Sequence, residues 1–344
     1  MKLSLLLTKR CNAQCAHCAT DSGPYARRSL PTQKVFSIMN EAAQRRRAGE
    51  SLMFGLSGGE AFLDLEQLVA VIAHGVGLGA TVTCVTNAYW ATSDAKAQSI
   101  VARVRAAGLT HLAASTSRYH QRFVPIERVK RALSTARAAG INTLLKIVYS
   151  APEEQEGVVQ RWADFVGADA LQAFPVVPYL RQGGELPLEH YVRAPGLPKG
   201  RCPAAVLTIR EDGAAFNCCT PGGFETLLKL GNVFDHSLDA LVDRYHFDPT
   251  FQVLREQGPI HFARHAIKNG EEGRLRSAYA DVCDLCAHIA SDPVLTKLAQ
   301  DSARTYRRRW AMRIAKTMRA NATLITRKST SQRLTKSRGI EHER

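Results

Sequence analysis

Six times within the first 180 residues, a short apolar run is followed by a longer segment whose apolar residues recur at helical spacing. Residues 2–8 (KLSLLLT), 52–58 (LMFGLSG), 81–87 (TVTCVTN), 111–117 (HLAASTS), 143–149 (TLLKIVY) and 170–178 (ALQAFPVVP) read as strands. Between them, Gln33–Ala48 places Val35, Phe36, Ile38, Met39 and Ala42 on one helical face. Further helices are predicted over Leu65–Val76, up to Gly108, from Ile126 to Gly140, and over Glu154–Phe165, with Gly108 and Gly140 suited to end their helices. Successive strand–helix units require parallel pairing, because each helix carries the chain back to the same edge. The class is therefore α/β, either doubly wound or a partial barrel.

In both architectures, ligands bind beyond the carboxyl ends of the strands. The special residues of this chain collect there. Cys11, Cys15 and Cys18 follow the first strand, Ser57–Glu60 (SGGE) end the second, Asn87 ends the third, and Ser115 and Ser117 end the fourth. One shared site at that end is expected.

Three thiols in the octapeptide CNAQCAHC, spaced four and three apart, can converge on one metal centre. Structural zinc takes four ligands, commonly in CxxC pairs. Three protein ligands on a four-iron cube leave one iron open, which marks a working site in the way an open position marks catalytic zinc. His17 is a further donor within the motif, crowded by its neighbour Cys18. Ser115 and Ser117 also suit plain helix capping.

CNAQCAHC after a first strand, with SGGE ending the second, resembles the radical S-adenosylmethionine (SAM) superfamily over about residues 3–180. The resemblance implies a partial (β/α)6 TIM-like barrel. It implies that Cys11, Cys15 and Cys18 hold a 4Fe–4S cluster whose open iron chelates SAM, with Gly58, Gly59 and Glu60 receiving the methionine ammonium. Asn87, Ser115 and Ser117 become candidates for ribose or carboxylate contacts. Ala61 stands where relatives commonly have Pro, and Ser117 where many carry Asp. The implied chemistry is reductive cleavage of SAM to a 5′-deoxyadenosyl radical that abstracts a substrate hydrogen, with flavodoxin or ferredoxin as external one-electron donor.

After Pro178 the pattern changes to a Gly- and Pro-rich connector, then short strand-like pieces and five more cysteines: Cys202, Cys218, Cys219, Cys283 and Cys286. The pair in CDLC plus two distant cysteines suits either zinc or iron–sulfur ligation. This region resembles the auxiliary-cluster modules called SPASM and Twitch, the latter more closely, which implies a second, fully ligated 4Fe–4S cluster on Cys202, Cys218, Cys283 and Cys286; Cys219 could replace Cys218. Cys84, within the apolar third strand, reads as a core thiol. The expected organisation is a core over 1–185, a small cysteine-rich α+β auxiliary domain over 186–292, and a basic helical segment with an unstructured tail over 293–344.

Charge separates that last segment from the rest. From Asp301 onward there are thirteen Lys/Arg against three Asp/Glu, so most of the net charge of +15 lies there. Basic tails attract phosphates, but with only Tyr306 and Trp310 to stack and no RNA-binding module, a nucleic-acid partner is not favoured. LSLLL is too short for a membrane span or a signal peptide, so a cytoplasmic, reducing location is expected. A saturated second cluster suits electron acceptance, hence net oxidation of the substrate. Two substrate classes follow: a peptide, cross-linked or dehydrogenated during natural-product maturation, or a small alcohol or sugar as in Twitch dehydrogenases. No precursor-recognition domain fits before Leu3, so a separate leader-peptide-binding protein is an expected partner of the first class. Arg181 and Lys146, near the ends of the last two strands, can serve anionic groups or simply face solvent.

Overall fold

The computed structural model describes residues 1–177, 186–202, 206–219 and 227–312. The first six strands and their helices alternate as the hydrophobic pattern requires: β1 (Lys2–Leu6), α1 (Thr32–Arg45), β2 (Met53–Ser57), α2 (Leu65–Gly77), β3 (Thr81–Thr86) and α3 (Asp94–Ala106). There follow β4 (His111–Thr116), α4 (Ile126–Ala138), β5 (Asn142–Tyr149), α5 (Ala151–Gln155), α6 (Val158–Val166) and β6 (Leu171–Pro175). Helix starts are fixed by side chains that satisfy unpaired backbone N–H groups. Asp64 accepts from Gln67 N at 3.0 Å for α2, and Ser93 from Lys96 N at 3.3 Å for α3. Gly108 and Gly140 take positive φ just beyond α3 and α4, a conformation glycine adopts without steric cost. The single helix expected over 154–165 is instead two, broken at Gly157, whose φ of 72° cannot continue a right-handed helix.

All neighbouring pairs from β1 through β6 are parallel. One face of each strand, with residues such as Leu5, Leu56, Cys84, Leu112 and Leu145, is buried in one apolar core with Val35, Ile38 and Met39 of α1. Cys84 is a core thiol, 1% exposed. The opposite face carries small and polar residues in register, among them Ser4, Gly55, Thr83 and, further along, Ser115 beside Lys146.

The later part of the chain supplies β7 (Ala194–Pro195), β8 (Leu207–Ile209), β9 (Ala214–Asn217), β10 (Lys229–Asn232), α7 (Leu238–Phe247), α8 (Pro249–Glu256), α9 (Ile260–Lys268), β11 (Ala278–Tyr279) and α10 (Val282–Ser291). A C-terminal helix occupies 293–312. β8, β9 and β10 do not form a sheet apart. β8 lies parallel to β1, β9 and β10 follow antiparallel, and the order across the nine-stranded sheet is β10-β9-β8-β1-β2-β3-β4-β5-β6. β7 and β11 make a separate two-stranded pair. The result is the mostly parallel α/β sheet expected of a partial TIM-like barrel, lengthened beyond β1 by the second cysteine-bearing region. Among the described residues no helix is long and apolar enough to cross a membrane.

Candidate active site

The loop carrying Cys11, Cys15 and Cys18 leaves the end of β1 and is held at its stem by its own return path. Lys9 N donates to Arg28 O at 2.8 Å, Leu30 N to Leu7 O at 2.9 Å, and Cys11 N to Gly23 O at 3.1 Å. Thr8 ties the stem further, its hydroxyl accepting from Arg10 N at 3.0 Å and from the Ser29 hydroxyl at 2.8 Å. Within the loop, backbone N–H groups of Ala13 and Ser22 point at the sulfurs of Cys11 and Cys18, each at 3.4 Å. Donors aimed at sulfur favour the thiolate, the form that ligates metal.

Gly58 and Gly59 lock this loop against β2. Gly59 N donates to Thr8 O at 2.6 Å and Glu60 N to Arg10 O at 2.9 Å. A Cβ on Gly58 would lie 2.5 Å from Thr8 O, and one on Gly59 2.2 Å from Arg10 O. Both distances are sterically forbidden, so glycine is required where the two backbones meet. The close approach is to the stem of the cysteine loop.

Glu60 is fully buried. Its carboxylate accepts from Asn87 N at 2.7 Å, from the Thr86 hydroxyl at 2.9 Å and from Phe62 N at 3.1 Å. Burial outweighs these three bonds and pushes the carboxyl up to about 7. Thr86 is the hub the sequence did not reveal: its hydroxyl also accepts from Ala88 N and from the Trp90 indole, both at 3.0 Å. Ala88 adopts a left-handed φ of 64° there, and Trp90 stacks on Phe62 with ring centroids 5.0 Å apart. Asn87, 6% exposed, turns its amide nitrogen to Asn12 Oδ1 at 2.9 Å, with Cys11 Sγ at 3.7 Å. The ends of β2 and β3 are thus bonded to the cysteine loop.

Of the two serines, Ser115 is half-buried and donates to Thr86 O at 3.4 Å. Ser117 serves the turn that follows β4, its hydroxyl accepting from His120 N at 3.1 Å and lying 2.8 Å from His120 Nδ1. His120 packs edge-on against His17, centroids 4.6 Å apart, and His17 lies 5.0 Å from the Tyr119 ring. Burial holds His120 down at about 4, so the ring is neutral. The donor atoms of Cys15, His17 and His120 lie within 4.8 Å of one another. Cys11, Cys15, Tyr119, Val176 and Tyr191 form a small apolar cluster of their own, separate from the main core. Ligands of a four-iron cube sit on different irons, so cysteines spread along one loop suit such a cluster. The soft thiolate donors and the N–H groups aimed at them fit it.

Lys146 lies across from Ser115 on β5. Burial lowers its pKa, with Cys219 opposing that effect, and among the described residues it makes no ion pair. Arg181 lies outside the described residues.

The second cysteine set is assembled from three places. Cys202 N donates to Leu254 O at 3.1 Å, and the segment before it passes so close to Gly258 that a Cβ there would meet Gly200 O at 1.8 Å. Cys218 and Cys219 follow β9, and Cys283 and Cys286 sit on α10. Asp281 caps α10 through Asp284 N at 2.8 Å. Buried Asp284 pairs with Arg276 at 2.5 Å and accepts from Ala280 N at 2.9 Å, while Tyr279 bonds His288 at 2.9 Å. Burial, then Asp281, Cys219, Cys286 and Cys202, raise the Cys283 thiol. Burial, then Cys202 and Asp281, push Cys286 up to about 12. Cys283 is thus within electrostatic reach of Cys202, Cys219 and Cys286, Cys286 within reach of Cys202, and Cys219 within reach of Lys146.

Residues 5–160 match the family model of the Radical SAM superfamily. The chain is 22% identical over 296 residues to YydG of Bacillus subtilis (strain 168), whose description names peptide biosynthesis; the match covers 83% of this chain and 91% of that protein. Two solved structures share the fold. One is native anSMEcpe with bound AdoMet and the Kp18Cys peptide (13% identity, TM-score 0.55, 88% of this chain and 100% of that one). The other is native anSMEcpe with bound AdoMet (12% identity, TM-score 0.53, 87% and 99%).

Proposed function

We propose that this chain, whose residues 5–160 match the radical SAM superfamily model, is a radical SAM enzyme that modifies a peptide during natural-product maturation. The observation that carries the enzymatic reading is the cysteine loop of β1, clamped by Gly58–Glu60 and Asn87 at the carboxyl end of a parallel sheet. The peptide as substrate is supported by the relative described by peptide biosynthesis. Bound there, an iron–sulfur cluster and SAM supply reductive hydrogen-atom abstraction chemistry.

The chain's own residues have definable tasks. Cys11, Cys15 and Cys18 hold the cluster, with the Ala13 and Ser22 N–H groups stabilising the thiolate charge. Gly58 and Gly59 fix the loop against β2, and Glu60 ties β2 to β3. A ligand cation brought beside Glu60 would draw its carboxyl toward the ionised form. Lys146 offers an ammonium without a carboxylate partner among the described residues, suited to an anionic group of cofactor or substrate. Tyr119, His17 and Tyr191 pack beside the loop and keep water from Cys11 and Cys15. The second set, Cys202, Cys283 and Cys286 with Cys218 or Cys219, is proposed to hold an auxiliary cluster that takes an electron from the substrate, making the net reaction an oxidation. Flavodoxin or ferredoxin is the proposed donor, a separate leader-binding protein a proposed partner, and the cytoplasm the proposed compartment.

The test is anaerobic reconstitution with iron and sulfide, then incubation with SAM, reductant and candidate peptides under mass spectrometry. About eight irons per chain, SAM cleavage and a peptide lighter by two hydrogens are expected. Cleavage with small alcohols oxidised and no peptide altered would overturn the substrate class.

A further inference from the structure

In the second region, α9 and the C-terminal helix line a cleft of about 480 Å³, within the size range of ligand sites. Its walls carry cations from both sides: Arg264 and Lys268 from α9 and Arg309 from the C-terminal helix, with His261 and His265 of α9 also lining it. Their proximity is felt at His261: burial first, then His265, Lys268, Arg264 and Arg309, all lower its pKa. Among the described residues, Arg264, Lys268 and Arg309 enter no ion pair, although other arginines of this chain do. Gathering like charges about one half-enclosed space raises the energy of the empty cleft, and an anionic ligand removes that cost.

The shape of the ligand follows from the remaining wall. Tyr306 stands edge-on to His261, centroids 5.4 Å apart at 81°, and its hydroxyl donates to Glu256 at 2.7 Å. No broad aromatic platform is offered for stacking bases among the described lining residues. Glu256 does not itself line the cleft, but its charge, held at the lining Tyr306, disfavours an unbroken run of phosphates more than carboxylates spaced along a peptide. α9 also packs on α10, the helix that carries Cys283 and Cys286.

We infer that this cleft binds a carboxylate-rich peptide segment, which, on the peptide-modifying reading above, belongs to the substrate at a distance from the reacting residue. Docking there would raise the local concentration of the remaining peptide near the active site without any new contact at the chemistry.

Fluorescence anisotropy on the full chain tests this with three labelled probes: a Glu/Asp-rich peptide, a matched Gln/Asn peptide and a single-stranded RNA of equal length. The basic residues beyond 312 also attract anions, so substitutions inside the cleft decide the matter. The acidic peptide is expected to bind more tightly than the neutral one and to weaken with salt. Reversing charge in Lys268→Glu/Arg309→Glu should weaken it by about tenfold or more, while Lys96→Glu on α3 leaves it unchanged. Acidic-peptide binding indifferent to the double substitution would overturn the inference, as would RNA binding more tightly through the same residues. Cleft-dependent binding with no peptide modified by mass spectrometry would support the cleft and count against the peptide-modifying reading alone.

Discussion

The two cysteine sets differ in how their geometry is fixed. Cys11, Cys15 and Cys18 fall within eight residues, on a loop whose stem is bonded to its own return and to the glycines of β2. Cys202, Cys218, Cys219, Cys283 and Cys286 come from a loop, a strand end and a helix, positioned by the packing of β8–β10 and α7–α10. Local backbone bonds hold the first set. Tertiary packing holds the second. The first is therefore sensitive to single backbone contacts nearby, and the second to burial and ion pairs at a distance.

The sharpest way to break this contrast is Gly59→Ala. Its Cβ would meet Arg10 O at 2.2 Å, so the stem must shift. We expect most of the iron on the loop to be lost with all three cysteines present, and a destabilisation of about 1–3 kcal/mol in thermal melts. Gly77→Ala, where no atom lies within 4 Å, should leave iron content and cleavage intact. Equal loss in both would show that the loop is not held as described.

The next largest effect should come from Asp284→Ala. It strands the partly buried Arg276 and removes an acceptor for Ala280 N, at a cost of about 2 kcal/mol. Iron on the second set should fall while SAM cleavage persists. Cleavage lost in proportion to iron would mean that the two sets are not independent.

A smaller, pH-dependent effect belongs to Glu60. Its carboxyl is raised from 4.5 to about 7 in the fold, so the protein binds this proton more tightly than the unfolded chain does. The stability this contributes is complete below about 4.5 and is lost as pH rises through about 7. The melting temperature of the cofactor-free protein should therefore carry a downward component across that window, absent in Glu60→Gln. Identical pH profiles would show that Glu60 is not buried as the structure has it.

How much was legible in the sequence follows the same division. Strands β1–β6 and most of their helices came from period and caps, because each is a local pattern; Gly108 and Gly140 ended helices where expected. The clamp of Gly59 on Arg10 was not visible, although the glycines were, since nothing in SGGE says which backbone they approach. Thr86, whose hydroxyl joins Glu60 to Trp90, looked like any strand threonine. The pairing of β8 with β1 joins residues about two hundred positions apart, and no periodicity reports that register. Helices α8 and α9 were not read either, because eight and nine residues span too few turns to set a clear period. The expected unstructured tail lies outside the described residues.

On the reading proposed above, the β1 loop alone carries SAM cleavage. The most direct measurement compares two variants after anaerobic reconstitution: one with Cys11, Cys15 and Cys18 replaced by Ala, the other with Cys202, Cys283 and Cys286 replaced by Ala. 5′-Deoxyadenosine is expected from the second protein and none from the first. Production by the protein lacking Cys11, Cys15 and Cys18 would contradict it.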